Sequence, residues 1–201
     1  MTDPVKIASI PYPLAWETAP VDFAQSGDGA LQMTAAPRTD FFVDPRGHIN
    51  MTNSARLLFR PDARFMLRAH TRGDLTATYD AAVLMLYVDD RHWAKLCLEL
   101  SPQGQPMIVS VVTNGASDDC NSIVLSEAAA YLRVAGFGNA FAFHYSLDGA
   151  TWHFVRYFAL QQTGGLRAGF SVQAPTGDGC TVTFTDIQYS ATELADLRSG
   201  V

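Results

Sequence analysis

The sequence is poor in basic charge. Lysine and arginine number 14 against 20 aspartates and glutamates, a net charge of −6, and neither basic residue forms a run. Nucleic acid and anionic membrane surfaces are held by clustered cations, so no nucleic acid and no membrane partner is expected. Long apolar runs are missing too. Nothing approaches the ~18 apolar residues of a spanning helix, and the opening "MTDPVKIASIPYPLAW" lacks the basic start and apolar stretch of a signal peptide. Cysteine is scarce: Cys97, Cys120 and Cys180 are odd in number and irregular in spacing. That argues against a secreted disulfide framework and points to reduced thiols in the cytoplasm. The five histidines, His48, His70, His92, His144 and His153, show no paired spacing, and no cysteine stands beside them at zinc-site spacing. No phosphate loop, dinucleotide fingerprint or nucleophile elbow occurs. No cofactor is therefore expected. The aspartate-bearing loops "PTGDG" and "DLT" leave only a structural calcium open, and such a site needs six to eight oxygens.

What the chain does have is strand signal. Hydrophobic residues make up 48% and charged residues 17%, enough to build a sizeable core. Segments 31–36, 64–73, 81–90, 93–101, 106–114, 130–138, 140–146, 151–160, 166–175 and 180–190 are short, rich in aromatic and β-branched residues, and separated by turn chemistry. "DDRH" (89–92), "SPQGQP" (101–106), "SLDGATW" (146–152) and "APTGDG" (174–179) read as connections. Asp148-Gly149 supplies the residue tolerant of positive φ that a tight hairpin needs. Strands at this spacing predict an all-β antiparallel sandwich, one domain over 1–201 with its core at about 15–190. A short C-terminal helix is expected in "SATELADL", where Ser190 and Glu193 fit a capping box. "FFVDPRG" (41–47) reads as an edge loop packed on the sandwich, with a position over a groove rim as the alternative.

The ordered set "YDAAVLMLYVDDRHWAKLCLELS", "VVTNGASDD", "LRV", "FHYSLDGATWHFVR" and "AGFSVQAPTGDGCTVTF" resembles domain-of-unknown-function family 1349, which includes YesU-like bacterial proteins and regulator-of-enolase-1-like yeast proteins. The resemblance spans roughly residues 15–190. It implies a concanavalin A-like jelly roll of two antiparallel sheets with one concave face, akin to the C-terminal modules of some xylan-degrading glycoside hydrolases. Where the family often reads Ser-Asp-Trp, this chain has Ser117-Asp118-Asp119-Cys120. Hydrolases on such sandwiches commonly carry Glu-x-Asp-x-Glu along one strand. The four glutamates here, Glu17, Glu99, Glu127 and Glu193, form no such pattern.

Side chains alternate along a strand. In "WAKLCLEL", Ala94, Leu96, Leu98 and Leu100 suit the core, which turns Trp93, Lys95, Cys97 and Glu99 outward. Cys97 is read as a small reduced filler. The same parity in the neighbouring segments adds Arg133, His144, Trp152 and Arg156. These residues are expected to share one amphipathic floor on the concave sheet, with Asp118 beside it. Lys95 and Glu99 stand four residues apart, about 13 Å between Cα atoms, so cross-strand neighbours must satisfy them. Arg133 or Arg156 is the natural partner of Glu99. The expected function is non-catalytic binding of a carbohydrate or other small polar ligand. Trp93 and Trp152 would stack on sugar faces, and Lys95, Glu99, Arg133, His144, Arg156 and Asp118 would bond hydroxyls. A self-paired surface network with no ligand is the plain alternative. A protein partner and a regulatory role form a second reading, and a sugar-active enzyme using paired carboxylates forms a third.

Overall fold

A computed structural model of the protein describes residues 3–27, 29–162 and 164–201. The strands, in chain order, are β1 (Ala15–Thr18), β2 (Asp22–Gln25), β3 (Leu31–Thr34), β4 (Phe41–Val43), β5 (Asn50–Thr52), β6 (Ala55–Phe59), β7 (Arg64–Asp74) and β8 (Ala81–Asp89), then β9 (His92–Leu100), β10 (Pro106–Asn114), β11 (Ser117–Val124), β12 (Ala129–Phe137), β13 (Ala140–Ser146), β14 (His153–Ala159), β15 (Arg167–Gln173) and β16 (Thr181–Ser190). One seven-stranded sheet runs β1-β6-β15-β8-β9-β10-β11 and a second runs β14-β13-β12-β7-β16-β3-β2. All their pairings are antiparallel. The first is called the pocket sheet below and the second the tail sheet.

Alternation builds the core between the sheets. Ala94, Leu96 and Leu98 of β9, Leu132 and Val134 of β12, and Phe141 and Phe143 of β13 all point inward and are fully buried. Connections are short where turn chemistry allows. In the loop from β13 to β14, Gly149 adopts φ 74°, and the Asp148 carboxylate accepts the amides of Ala150 and Thr151 at 2.8 and 2.7 Å. Those bonds hold the Asp148 carboxyl well below the usual range.

The pocket sheet has an additional layer. β4 and β5 form a separate two-stranded hairpin that lies on the outer face of this sheet. Phe41, Val43, Leu58, Val83, Trp93 and Cys97 pack into a second, smaller core beneath it. The Phe41 ring meets Trp93 edge-on at 5.3 Å and Tyr87 at 6.0 Å, and the Arg56 guanidinium lies 4.5 Å over Phe41. Thr39 and Ala174 exchange backbone hydrogen bonds and tie the hairpin's leading end to the end of β15. The segment 41–47, read as an edge loop with a position over a groove rim as the alternative, holds β4 and the turn after it, and with β5 it forms one wall of a groove.

No helix forms among the described residues, so the expected C-terminal helix is not present. Ser190 ends β16, and its hydroxyl bonds Thr192 (3.0 Å) rather than capping a helix. Glu193 pairs with Arg64. The tail past Ser190 runs along the outer face of the tail sheet and gives its carbonyls to that sheet. Leu197 O accepts from His144 Nε2 at 2.7 Å and Gly200 O accepts from Arg133 at 2.8 Å. A helix this short is marginal by itself.

Candidate functional site

The outer face of the pocket sheet holds a pocket of about 420 Å³, within the usual span of small-molecule sites, ~300–1,000 Å³. β9 supplies its charged floor. Lys95 and Glu99 share one face, as the parity of the strand requires, with Cys97 between them. The cross-strand neighbours of Lys95 are Met85 and Val111, and those of Glu99 are Ala81 and Met107. No arginine stands beside Glu99, which overturns the expected pairing with Arg133 or Arg156.

Lys95 is satisfied from elsewhere. Its buried ammonium donates to Asp40 at 3.0 Å and to Gln173 Oε1 at 2.8 Å. Burial pulls the Lys95 pKa down, but the attraction of Asp40 and Glu99 outweighs it and the net shift is upward. Asp40 is itself fixed. Its backbone amide donates to Asn53 Oδ1, and its carboxylate accepts the amide of Phe41 at 2.7 Å. The Gln173 amide donates to Tyr79 O.

Glu99 differs from Lys95 in having no partner. It is 9% exposed, and among the described residues nothing donates a hydrogen bond to its carboxyl. Desolvation pushes its pKa up to about 7, with Asp40 and Asp119 adding to the rise and Lys95 opposing it. The walls are mixed. Phe42, Ile49 and Met51 come from the hairpin, Met107 from β10, and Tyr79 from the loop before β8. Tyr79 is 41% exposed and offers a ring to the solvent.

The remaining sequence-predicted residues lie elsewhere, and the single floor is divided between two sheets. Trp93 has the expected outward parity but is fully buried under Phe41, closed off from any ligand. Arg133, His144 and Trp152 belong to the outer side of the tail sheet. Arg133 stacks 4.1 Å over the Trp152 ring while bonding Gly200. A Cβ added at Gly200, where φ is 80°, would fall 2.8 Å from Trp152 Cβ and 2.9 Å from the Arg133 guanidinium, so the tail fits because it is a glycine there. Burial lowers the His144 pKa to about 4 and the Arg133 pKa to about 10. Arg156 and Asp118 pair across the edges of the two sheets, 3.1 Å apart, with Asp118 largely exposed. Asp119, the next residue, and Asn121 are the residues of that strand that line the pocket. Among the described residues no group of three or more His, Cys, Asp or Glu is placed to hold a metal ion.

Asp40, Gln173, Tyr79 and Phe42 were not singled out as binding residues from the sequence. The two aromatics at 41–42 marked the hairpin segment. Nothing local marks Asp40 or Gln173, which lie 55 and 78 residues from Lys95.

Fold and site together define a β-sandwich module with an open, charged pocket on one sheet and a tail laid over part of the outer face of the other. The chain belongs to the family described as "Protein of unknown function (DUF1349)", whose model matches residues 16–192. It is 27% identical over 177 residues to "Regulation of enolase protein 1" of Saccharomyces cerevisiae, covering 88% of each chain. A crystal structure of a functionally unknown protein from Saccharomyces cerevisiae superposes with a TM-score of 0.81 at 26% identity, covering 89% of this chain and 96% of that one. More distant structures share the fold alone. The carbohydrate binding module CBM66 from Bacillus subtilis gives a TM-score of 0.52 at 14% identity, over 87% of this chain and 94% of that one. The GH43 BlXynB protein from Bacillus licheniformis gives 0.66 at 16% identity over 81% of this chain, which spans only 33% of that protein. These neighbours place the sandwich in the jelly-roll class.

Proposed function

We propose that the protein binds a carbohydrate in the pocket of the pocket sheet, without covalent chemistry. The observation that carries this reading is the floor itself. A buried, unpartnered Glu99 carboxyl and a fixed Lys95–Asp40 pair stand in one small hollow with an exposed ring, Tyr79, at its rim. The Glu99 carboxyl lines the hollow with no protein partner, so a ligand hydroxyl can take the place of water there. Tyr79 and Phe42 take the stacking role expected of the tryptophans. The name of the distant neighbour CBM66 supports the class of ligand. Three unpaired thiols, two of them buried, support a cytoplasmic setting.

A glycan array followed by calorimetry tests this. Saccharides of one or two units are expected to bind the wild type. Filling the hollow with Met107→Trp, or removing the ring with Tyr79→Ala, is expected to weaken binding about tenfold or more. Failure of any saccharide to bind, or affinity unchanged in both variants, would overturn the reading.

A further inference from the structure

The charges lining the pocket do not balance. Three carboxyl groups, Asp40, Glu99 and Asp119, stand against one ammonium, Lys95. Asp40 answers Lys95 directly at 3.0 Å, and a second Lys95 donor goes to Gln173. Glu99 answers nothing. Its strand neighbours Ala81 and Met107 carry no charge, and the charged groups acting on it are Lys95 from its own strand, Asp40 from the residue ahead of β4, and Asp119 from β11. Of these only Lys95 favours its ionised form.

We infer that Glu99 receives a protonated amine of the ligand, so that an amino sugar is preferred over a neutral or an acidic one. This rests on the sugar-binding reading of the same pocket and sharpens it. A hydroxyl at Glu99 makes an ordinary hydrogen bond and leaves the pocket with its excess of carboxyls. An ammonium makes a charge-assisted bond and neutralises the one floor carboxyl that lacks a counter-ion, in a setting where water screens weakly. An acidic sugar would bring a fourth carboxylate into the same space, and like charges held this close repel. The apolar walls Phe42, Met51 and Met107 suit the carbon face of a sugar ring beside the amine. Binding an amine drives Glu99 to its ionised form. Because the free group titrates near 7, binding at pH 7 releases roughly half a proton.

The test is calorimetry at pH 7 on paired probes: glucosamine with glucose, galactosamine with galactose, mannosamine with mannose, then glucuronic and galacturonic acid, and cyclohexylamine as an amine without a sugar. At least one hexosamine is expected to bind about tenfold or more tighter than its parent, with no binding by the acids. Its enthalpy is expected to differ between phosphate and imidazole buffers by the heat of the released proton. Glu99→Gln is expected to bring the hexosamine-to-hexose ratio close to one. The buffer measurement needs no variant, so the inference stands or falls even if Glu99→Gln does not fold. A parent hexose or a uronic acid that binds as tightly as the hexosamine overturns the inference and leaves sugar binding intact. Cyclohexylamine bound with proton release while no sugar binds upholds the amine at Glu99 and overturns the sugar reading. No binding by any probe overturns the inference, and a glycan array without a hit overturns the sugar reading as well.

Discussion

The outer faces of the two sheets began from similar sequence patterns and came to opposite ends. On the pocket sheet, Lys95 and Glu99 point outward beneath a hairpin that covers Trp93 and stops short of Glu99, which leaves a hollow. On the tail sheet, Arg133 and His144 point outward in the same way, yet the chain's own last residues lie over them and accept one hydrogen bond from each. Outward parity therefore marks a polar face. Whether that face is a site depends on what the rest of the chain lays across it. Two buried groups show the difference: His144 Nε2 bonds the tail while its Nδ1 is buried without a partner, and the Glu99 carboxyl has no protein partner and faces the hollow.

The largest expected effect comes from removing the piece that makes the pocket sheet different. Phe41 is 1% exposed and packs on Trp93, Tyr87 and Arg56. Phe41→Ala is expected to cost about 3–5 kcal/mol in chemical denaturation. It also lifts the hairpin from Cys97. The native chain should show one reactive thiol, the exposed Cys120, because Cys97 and Cys180 are buried, and the variant should show a second. If the variant denatures like the native chain, the hairpin is not held by this ring.

A second comparison uses pH, because the two faces respond with opposite sign. His144 titrates at about 4 in the fold against an ordinary 6.5. Its contribution is present above pH 6.5 and lost as pH falls toward 4, roughly 3 kcal/mol in all. Glu99 titrates at about 7 against 4.5. Its contribution is full below pH 4.5 and lost as pH rises to 7, again roughly 3 kcal/mol. Between pH 4.5 and 6.5 the two nearly cancel. Denaturation of His144→Gln across this window should show stability rising on acidification, and Glu99→Gln should show it falling. Two variants with parallel profiles would mean that the faces do not differ in this way.

Much of the fold was legible, and the reasons are local. "AAVLMLYV", "WAKLCLEL" and "AFAFHYS" alternate or run apolar between turn residues, and all three are strands where expected. β11, "SDDCNSIV", was missed because an edge strand exposed along most of its length has no alternation to read. β4 and β5, three residues each, are too short to signal. The tail's capping box was present in sequence, but its two residues bond Thr192 and Arg64 instead, and a helix of this length is marginal. In the site, the outward parity of Lys95 and Glu99 was readable, since it depends only on the pleat. Sheet membership was not. β12 pairs with β7 and β13 rather than with β9, and this long-range choice separated Arg133, His144 and Trp152 from Lys95.

The smallest expected effect lies where the two sheets meet at their edges. Arg156 of β14 donates to Asp118 O and pairs with the Asp118 carboxylate of β11, the one direct ion pair between residues once assigned to a common floor. Asp118 is 73% exposed at its side chain, so water and salt screen the pair and holding two mobile side chains offsets much of the gain. Arg156→Ala is expected to change stability by less than about 1 kcal/mol, and by less still in 1 M salt. Saccharide affinity should stay at the native value, because neither residue reaches the Glu99 hollow. Affinity that drops with Arg156→Ala while stability holds would join the sheet edge to the pocket and erase the contrast between an open face and one covered in part by the tail.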